Sequence, residues 1–153
     1  MQLEIERKFL VKKNWPRIGR RKTIRQGYLS TDKNRTVRVR LENERGLITI
    51  KGMPEGLARP EFEYTIPGED AAYLLDHLCR QPVIEKTRYI IDYEGRVWEI
   101  DEFHGDNQGL IIAEIELGEV SAEVPLPDWI GEEVTGDPRF YNANLIGHPY
   151  KEW

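Results

Sequence analysis

Hydrophobic and charged residues alternate along most of this chain. The alternation is strictest in Glu4-Ile5-Glu6-Arg7-Lys8 near the N-terminus and in Glu61-Phe62-Glu63-Tyr64-Thr65-Ile66. Successive side chains of a β-strand point to opposite faces of the sheet, so a two-residue period predicts strands with one charged and one apolar face. The same pattern predicts further strands at residues 24–30, 35–42, 47–51, 84–93, 96–101 and 110–118.

Turns and a change of period separate these strands. Residues 43–46 and Glu94-Gly95 are predicted to be turns that join neighbouring strands into hairpins. Between residues 69 and 80 the apolar positions follow a helical period instead, and Pro82 comes just after them. A second, short helix is predicted at about residues 138–146. The basic segment 12–22 and the segment 52–60, which is rich in Pro and Gly, are expected to be connections.

These elements predict a mainly β (α+β) fold with about eight strands, one clear helix and one or two shorter ones. Strands in this number that are joined by short turns usually close into an antiparallel barrel. At 153 residues the chain is long enough to bury a sizeable core, so we expect one domain over residues 1–153.

Composition and charge exclude several classes of protein. No segment approaches the roughly 18 apolar residues of a membrane span, and the N-terminus lacks the regions of a signal peptide, so we expect a cytoplasmic bacterial-type protein with no membrane partner. The net charge of −5 argues against a general nucleic-acid binder. Cys79 is the single cysteine, and the three histidines lie far apart, which excludes an internal disulfide and a soft-ligand zinc centre.

One face of seven predicted strands carries charged residues that are sorted by strand. They are Glu4, Glu6 and Lys8; Arg38 and Arg40; Lys51; Glu61 and Glu63; Lys86 and Arg88; Glu99 and Asp101; Glu114 and Glu116. If the apolar faces pointed inward, the barrel would have a packed interior and a charged exterior. If they pointed outward, the charges would line a polar tunnel. A solvated surface gains little from pairs of like charge two residues apart, which favours the tunnel, but the period alone leaves both arrangements open.

The chemistry of such a lining is specific. Clustered carboxylates without soft ligands select a hard divalent ion such as Mg²⁺ or Mn²⁺. Clustered Arg and Lys side chains recognise phosphate oxygens. Acids and bases in one cavity therefore suit a ligand that is both polyanionic and metal-bound, namely a polyphosphate. The chain contains no glycine-rich phosphate loop, so side chains would have to bind the phosphates.

The N-terminal ExExK strand, here Glu4 to Lys8, resembles the hallmark of the triphosphate tunnel metalloenzymes, the CYTH superfamily of class IV adenylate cyclases and thiamine triphosphatases. The later charged blocks follow that family's order, and the segments 25–29 and 131–135 resemble its short bacterial members. The resemblance implies an eight-stranded antiparallel closed barrel that forms a tunnel, with a few helices packed outside and near the C-terminus. It also implies one or two divalent ions, Mg²⁺ or Mn²⁺, as cofactors.

The resemblance assigns roles to matching positions. The candidate triphosphate-binding residues are Lys8, Arg38, Arg40, Lys51, Lys86 and Arg88. The candidate metal ligands are Glu4, Glu6, Glu63, Asp101, Glu114 and Glu116, with Glu61 and Glu99 as additional candidates. The candidate catalytic residues are Glu4, Glu6, Lys8 and Tyr28. Arg7 lies on the opposite strand face and is expected to be structural.

The function that the resemblance implies is metal-dependent hydrolysis of a triphosphate, above all of inorganic tripolyphosphate to pyrophosphate and phosphate. Adenylate cyclase, thiamine or nucleoside triphosphatase, and a non-catalytic polyphosphate-binding module are the alternatives. The cyclases usually carry a His-Phe pair before ExExK, whereas this chain has only residues 1–3 there. We expect a small-molecule triphosphate as the partner, and the oligomeric state stays open, with a homodimer as one option.

Overall fold

The computed structural model describes residues 2–153 and contains one antiparallel sheet that closes on itself. Its strands are β1 (Gln2–Val11), β2 (Arg20–Ser30), β3 (Arg35–Glu42), β4 (Arg45–Gly52), β5 (Ala58–Ile66), β6 (Ile84–Tyr93), β7 (Arg96–Phe103), β8 (Ile111–Glu116) and β9 (Ile130–Glu133). The helix α1 (Gly68–Tyr73) continues into a π-helical turn, Leu74–Leu78. Short 3₁₀ turns follow at Gly105–Asn107, Pro138–Phe140, Asn142–Leu145 and Tyr150–Glu152.

Eight strands form a closed barrel, in the order β5-β4-β3-β2-β6-β7-β8-β1, and β1 pairs with β5 to complete the ring. The predicted barrel is therefore confirmed. Phe9 of β1 pairs with Ala113 of β8 on one edge and with Glu133 of β9 on the other. Strand β9 is therefore not part of the ring of eight. The beginning of β1 pairs with β5, and the end of β1 pairs with β9 along the same edge.

The apolar face of the strands points outward and is covered by other parts of the chain. On the β1, β7 and β8 side, Phe9, Trp98 and Ile115 pack with Trp15 of the segment between β1 and β2 and with Ile130 of β9. On the β3 side, Val39 packs against residues of α1 and its π-helical turn. Since the two faces of a strand alternate, the charged face points inward, and of the two arrangements that the sequence left open the chain adopts the tunnel.

A third apolar cluster closes one end of this tunnel. Tyr28, Ile84, Phe103 and Ile112 lie on the inward strand faces, because they pair in register with Arg38, Gln26, Lys86 and Asp101. The buried residues Phe140, Leu145 and Ile146 of the C-terminal segment pack against them. We call these inward apolar residues, together with segment 138–146, the floor of the tunnel.

Several element boundaries differ from the predictions. Strand β2 begins at Arg20 because β6 is long enough to pair with it there, as Arg20 pairs with Ile90. Strand β5 begins at Ala58 because β1 pairs with it as far as Ile5. The predicted helix at 138–146 is instead two 3₁₀ turns, and β9 was not predicted. No helix among residues 2–153 is long and apolar enough to cross a membrane.

Candidate active site

The charged face of β1 brings Glu4, Glu6 and Lys8 into the tunnel. Lys51 Nζ of β4 donates to both carboxylate oxygens of Glu4, at 2.7 and 2.9 Å. It also lies 3.6 Å from Glu61 Oε2. Strands β1 and β4 are not neighbours in the ring, since β5 lies between them. The Lys51–Glu4 contact therefore spans the inner surface of the barrel.

Lys8 occupies a position between two carboxylates. Its Nζ lies 3.8 Å from Glu6 Oε1 and 3.8 Å from Glu114 Oε1, and 5.6 Å from the centre of the Tyr141 ring. Burial acts to lower the pKa of the Lys8 ammonium, but the charges of Glu114 and Glu6 outweigh it and raise the pKa above its usual value. Lys8 is therefore a fixed cation inside the tunnel.

Asp101 is the centre of a buried ion cluster. Its two oxygens accept hydrogen bonds from Arg88, at 2.7 and 2.9 Å, and Lys86 Nζ lies 2.7 Å from Oδ2. Burial alone would raise the pKa of Asp101, but Arg88 and Lys86 hold it far below its usual value. Burial, opposed by the charge of Asp101 and assisted by the charges of Arg88 and Arg40, lowers the pKa of Lys86 to about 7. Arg88 also donates to Glu99, at 3.2 Å.

Arg38 and Arg40 lie side by side on the inward face of β3. Arg40 Nε donates to Gln26 Oε1 at 3.0 Å, and its Nη1 donates to Glu42 Oε2 at 3.3 Å. Burial, together with the charges of Arg38 and Arg88, lowers the pKa of Arg40 to about 10. Arg38 Nη2 donates to Thr49 Oγ1 at 3.2 Å, but its buried Nε has no partner within residues 2–153. A buried guanidinium N–H without an acceptor is costly unless a ligand supplies one.

The carboxylates of β1 and β8 repel one another. Glu6 of β1 pairs in register with Glu116 of β8, and Glu114 lies on the same face of β8, two residues before Glu116. Burial, followed by the charge of Glu114, raises the pKa of Glu6 to about 7. Burial also raises the pKa of Glu4 and of Glu116. Acids held close together in this way are stabilised by a cation.

The donor chemistry of these acids fits a hard divalent ion, because every available ligand is a carboxylate oxygen. Within residues 2–153, however, no three His, Cys, Asp or Glu side chains converge closely enough to hold an ion between them. The reason is visible in the contacts: Glu4 is turned to Lys51, Asp101 to Lys86 and Arg88, and Glu114 to Lys8.

Exposure rises from the floor to the open end of the tunnel. The side chain of Asp101 is 1% exposed, whereas those of Glu63 and Glu99 are 39% and 38% exposed. Glu116 is exposed as well. Tyr28 lies at the other end, buried in the floor. The predicted site residues therefore share one tunnel, and Arg7, on the outer face, pairs with Glu133 at 2.7 Å.

Four polar residues on the tunnel side were not predicted to be site residues. Glu42 and Thr49 continue the inward faces of β3 and β4, and Gln26 that of β2, so extending the two-residue period would have found them. Asn142 could not be found in this way, because it lies in a 3₁₀ turn. Its Oδ1 accepts from Gln26 Nε2 at 2.7 Å and from Lys86 Nζ at 2.9 Å.

Comparisons with known proteins agree on one family. The family model described as the CYTH domain matches residues 2–141. An inorganic triphosphatase of Acetivibrio thermocellus is 49% identical over 154 residues, which cover 100% of this chain and 99% of the relative. An inorganic triphosphatase of Nitrosomonas europaea is 36% identical and covers 93% and 95% of the two chains. The solved structure of the inorganic triphosphatase NE1496 superposes with a TM-score of 0.68 at 32% identity and covers 95% of both chains.

Proposed function

The chain belongs to the CYTH domain family, and on that premise we propose that it is a metal-dependent inorganic triphosphatase. The reaction is the hydrolysis of tripolyphosphate to pyrophosphate and phosphate. Relatives that match nearly the full length of the chain are inorganic triphosphatases, which supports the reaction. The observation that carries the proposal is the tunnel itself. The buried Nε of Arg38, which has no partner within residues 2–153, and five further cations face one cavity there.

The basic residues bind and orient the polyphosphate chain. They are Lys8, Arg38, Arg40, Lys51, Lys86 and Arg88. An arginine offers a planar pair of N–H donors that matches two phosphate oxygens, and a lysine offers a compact point charge. Because these side chains come from several strands, they fix the polyphosphate along the tunnel axis. Water can then attack one end phosphorus in line with the bond that breaks.

The acidic residues hold the metal. The candidates are Glu4, Glu6, Glu61, Glu63, Glu99, Asp101, Glu114 and Glu116, and the ion is Mg²⁺ or Mn²⁺. When bound, the ion neutralises phosphate charge and lowers the pKa of the attacking water. The ion pairs Glu4–Lys51 and Glu114–Lys8 release their carboxylates when phosphate oxygens replace them as partners of the two lysines. Binding of the substrate and of the ion are thereby coupled.

The chain's own cations also act on the charge that develops during the reaction. The water oxygen adds to the end phosphorus and loses a proton to the solvent, the bridging P–O bond breaks, and its electron pair leaves on pyrophosphate. Lys8, which its neighbours keep protonated, stabilises that leaving charge. Glu4 and Glu6 share the face of β1 with Lys8 and position the water. Tyr28 lies in the floor of the tunnel, and a catalytic role for it remains a prediction.

The test is an assay of phosphate release with tripolyphosphate, ATP and thiamine triphosphate as separate substrates, each with Mg²⁺ and with Mn²⁺. We expect the highest kcat/KM with tripolyphosphate and no release in the presence of EDTA. Cyclic AMP formed from ATP would identify a cyclase instead. Tight binding of tripolyphosphate without release in either metal would identify a binding module. Full activity of metal-stripped protein in EDTA would overturn the metal proposal.

A further inference from the structure

The floor of the tunnel presents polar groups as well as apolar ones. Phe140, Leu145 and Ile146 are buried in it, whereas Tyr141 and Asn142 between them are half-buried. The Tyr141 ring lies under the Lys8 ammonium, and the Asn142 carboxamide contacts Lys86. The C-terminal segment therefore brings two side chains to the phosphate-binding cations, although it belongs to none of the barrel strands.

The orientation of the Asn142 carboxamide is set by a chain of donors. The guanidinium of Arg40 can only donate, so Gln26 turns its oxygen toward Arg40 and its Nε2 toward Asn142. The Lys86 ammonium can only donate as well. Both Gln26 Nε2 and Lys86 Nζ therefore require the Asn142 oxygen, and its Nδ2 must point away from them.

The Nδ2 group of Asn142 has hydrogens to donate and no acceptor among the described residues. Among residues 2–153 no hydrogen bond uses this atom, and it is not one of the buried side-chain atoms that lack a partner, so it reaches solvent. The cations Lys86, Arg88 and Arg40 interact with one another nearby, as their mutual effects on pKa indicate. A neutral donor beside several cations at the blind end of a tunnel suits the oxygen of an anion.

We propose that Asn142 is a specificity-determining residue, whose Nδ2 donates to an oxygen of the phosphoryl group at the inner end of the polyphosphate. This inference rests on the proposed function and extends it to a residue outside the charged strands. The contact sets how far a chain of phosphates enters the tunnel, because Asn142 belongs to the segment that closes the inner end. The ligand class is therefore an inorganic oligophosphate with an unsubstituted end.

Two variants separate this role from a purely structural one. Asn142→Asp keeps the oxygen that accepts from Lys86 and Gln26 but replaces the donor with an anionic oxygen. Asn142→Ala removes both. If Asn142 only held its two neighbours and lay away from the bound phosphates, N142D would behave like the wild type and N142A would be the worse variant. If Nδ2 contacts a phosphoryl oxygen, N142D is the worse variant, because its carboxylate repels the substrate.

The measurements are kcat and KM for tripolyphosphate, and calorimetric binding of tripolyphosphate in EDTA, where no turnover obscures the affinity. We expect N142D to raise KM and weaken binding by about tenfold or more, and N142A by less, with kcat within about threefold, as for loss of one hydrogen bond to a charged group. The control is Asn14→Asp, which adds the same charge to an exposed asparagine outside segment 138–146 and should leave KM and the binding constant unchanged.

The outcomes separate the two proposals. Wild-type values in N142D, or an unchanged KM in N142A, overturn the role of Asn142 while the triphosphatase activity stands. Wild-type protein that binds tripolyphosphate without hydrolysing it overturns the proposed function. The role of Asn142 is then still decided by comparing the dissociation constants of the wild type, N142A and N142D for tripolyphosphate. Wild-type protein that neither binds nor hydrolyses tripolyphosphate overturns both.

Discussion

Arg38 is a tunnel cation with a buried N–H that has no acceptor within residues 2–153. One N–H of its guanidinium reaches Thr49, and the buried Nε reaches nothing within residues 2–153. We predict that Arg38→Lys, which keeps the charge and loses the planar pair of donors, raises KM for tripolyphosphate about tenfold, and that Arg38→Ala lowers kcat/KM about a hundredfold. Steady-state kinetics measure both changes.

The matched control for this prediction is Arg35→Lys. Arg35 lies on the same strand, but its side chain is 79% exposed and pairs with Asp32 outside the site. KM should stay at the wild-type value in this variant. A wild-type KM in Arg38→Lys would show that the planar pair of N–H donors of Arg38 does not bind the substrate.

Asp101 stabilises the tunnel by balancing the positive charges around it. In Asp101→Asn, Arg88 and Lys86 would lose their shared carboxylate while both stay buried. Removing one partner of a buried ion cluster typically costs about 3–5 kcal/mol. We predict a loss of that order in the free energy of unfolding, measured with urea in EDTA. Asp106→Asn, at an exposed pair with Lys151, should change it by less than about 1 kcal/mol, and an equal loss there would contradict the argument.

The helical segment from Gly68 to Leu78 covers one outer side of the barrel and contributes stability without touching the tunnel. Leu75 is fully buried against the outer face of the barrel, whereas Leu78 is 60% exposed. We predict that Leu75→Ala lowers the free energy of unfolding by about 3 kcal/mol, because it leaves a cavity over Val39, and that Leu78→Ala lowers it by less than about 0.5 kcal/mol. The kcat of the folded fraction should be unchanged in both. A large loss of kcat in Leu75→Ala would show that the outer packing shapes the site.

The strands could be predicted because their information is local. The period of two and the short turns in the sequence are enough to find β3, β4, β6 and β7, and to group the charged residues by face. The direction of that face did not follow from the period alone, since it depends on Trp15, Trp129 and α1 covering the apolar side; the sorting of like charges only favoured the tunnel. Strand β9 and Asn142 were missed for a related reason. Their positions depend on pairing and packing with distant parts of the chain, and the local pattern carries no sign of them.

At neutral pH, repulsion among the carboxylates in the tunnel lowers the free energy of unfolding of the metal-free protein. The pKa of Glu6 is raised to about 7 by burial and by Glu114, so the folded protein binds a proton there that the unfolded chain releases at a pKa of about 4.5. The stability that this group contributes is present at pH 4.5 and is lost as pH rises toward 7. Asp101 acts in the opposite direction at lower pH, because its lowered pKa stabilises the fold above about pH 4.

We therefore predict that Glu6→Gln stabilises the metal-free protein at pH 7.5 and not at pH 4.5. One pKa unit corresponds to about 1.4 kcal/mol, and because the Glu6 side chain is 24% exposed we expect a smaller gain than the full shift implies, about 1–2 kcal/mol. Urea unfolding in EDTA at the two pH values measures it. Glu133→Gln, at an acid whose pKa Arg7 lowers, should destabilise slightly at pH 7.5 instead. If Glu6→Gln had no effect at pH 7.5, the carboxylates of the tunnel would not be in conflict, and a cation would not be needed to hold them together.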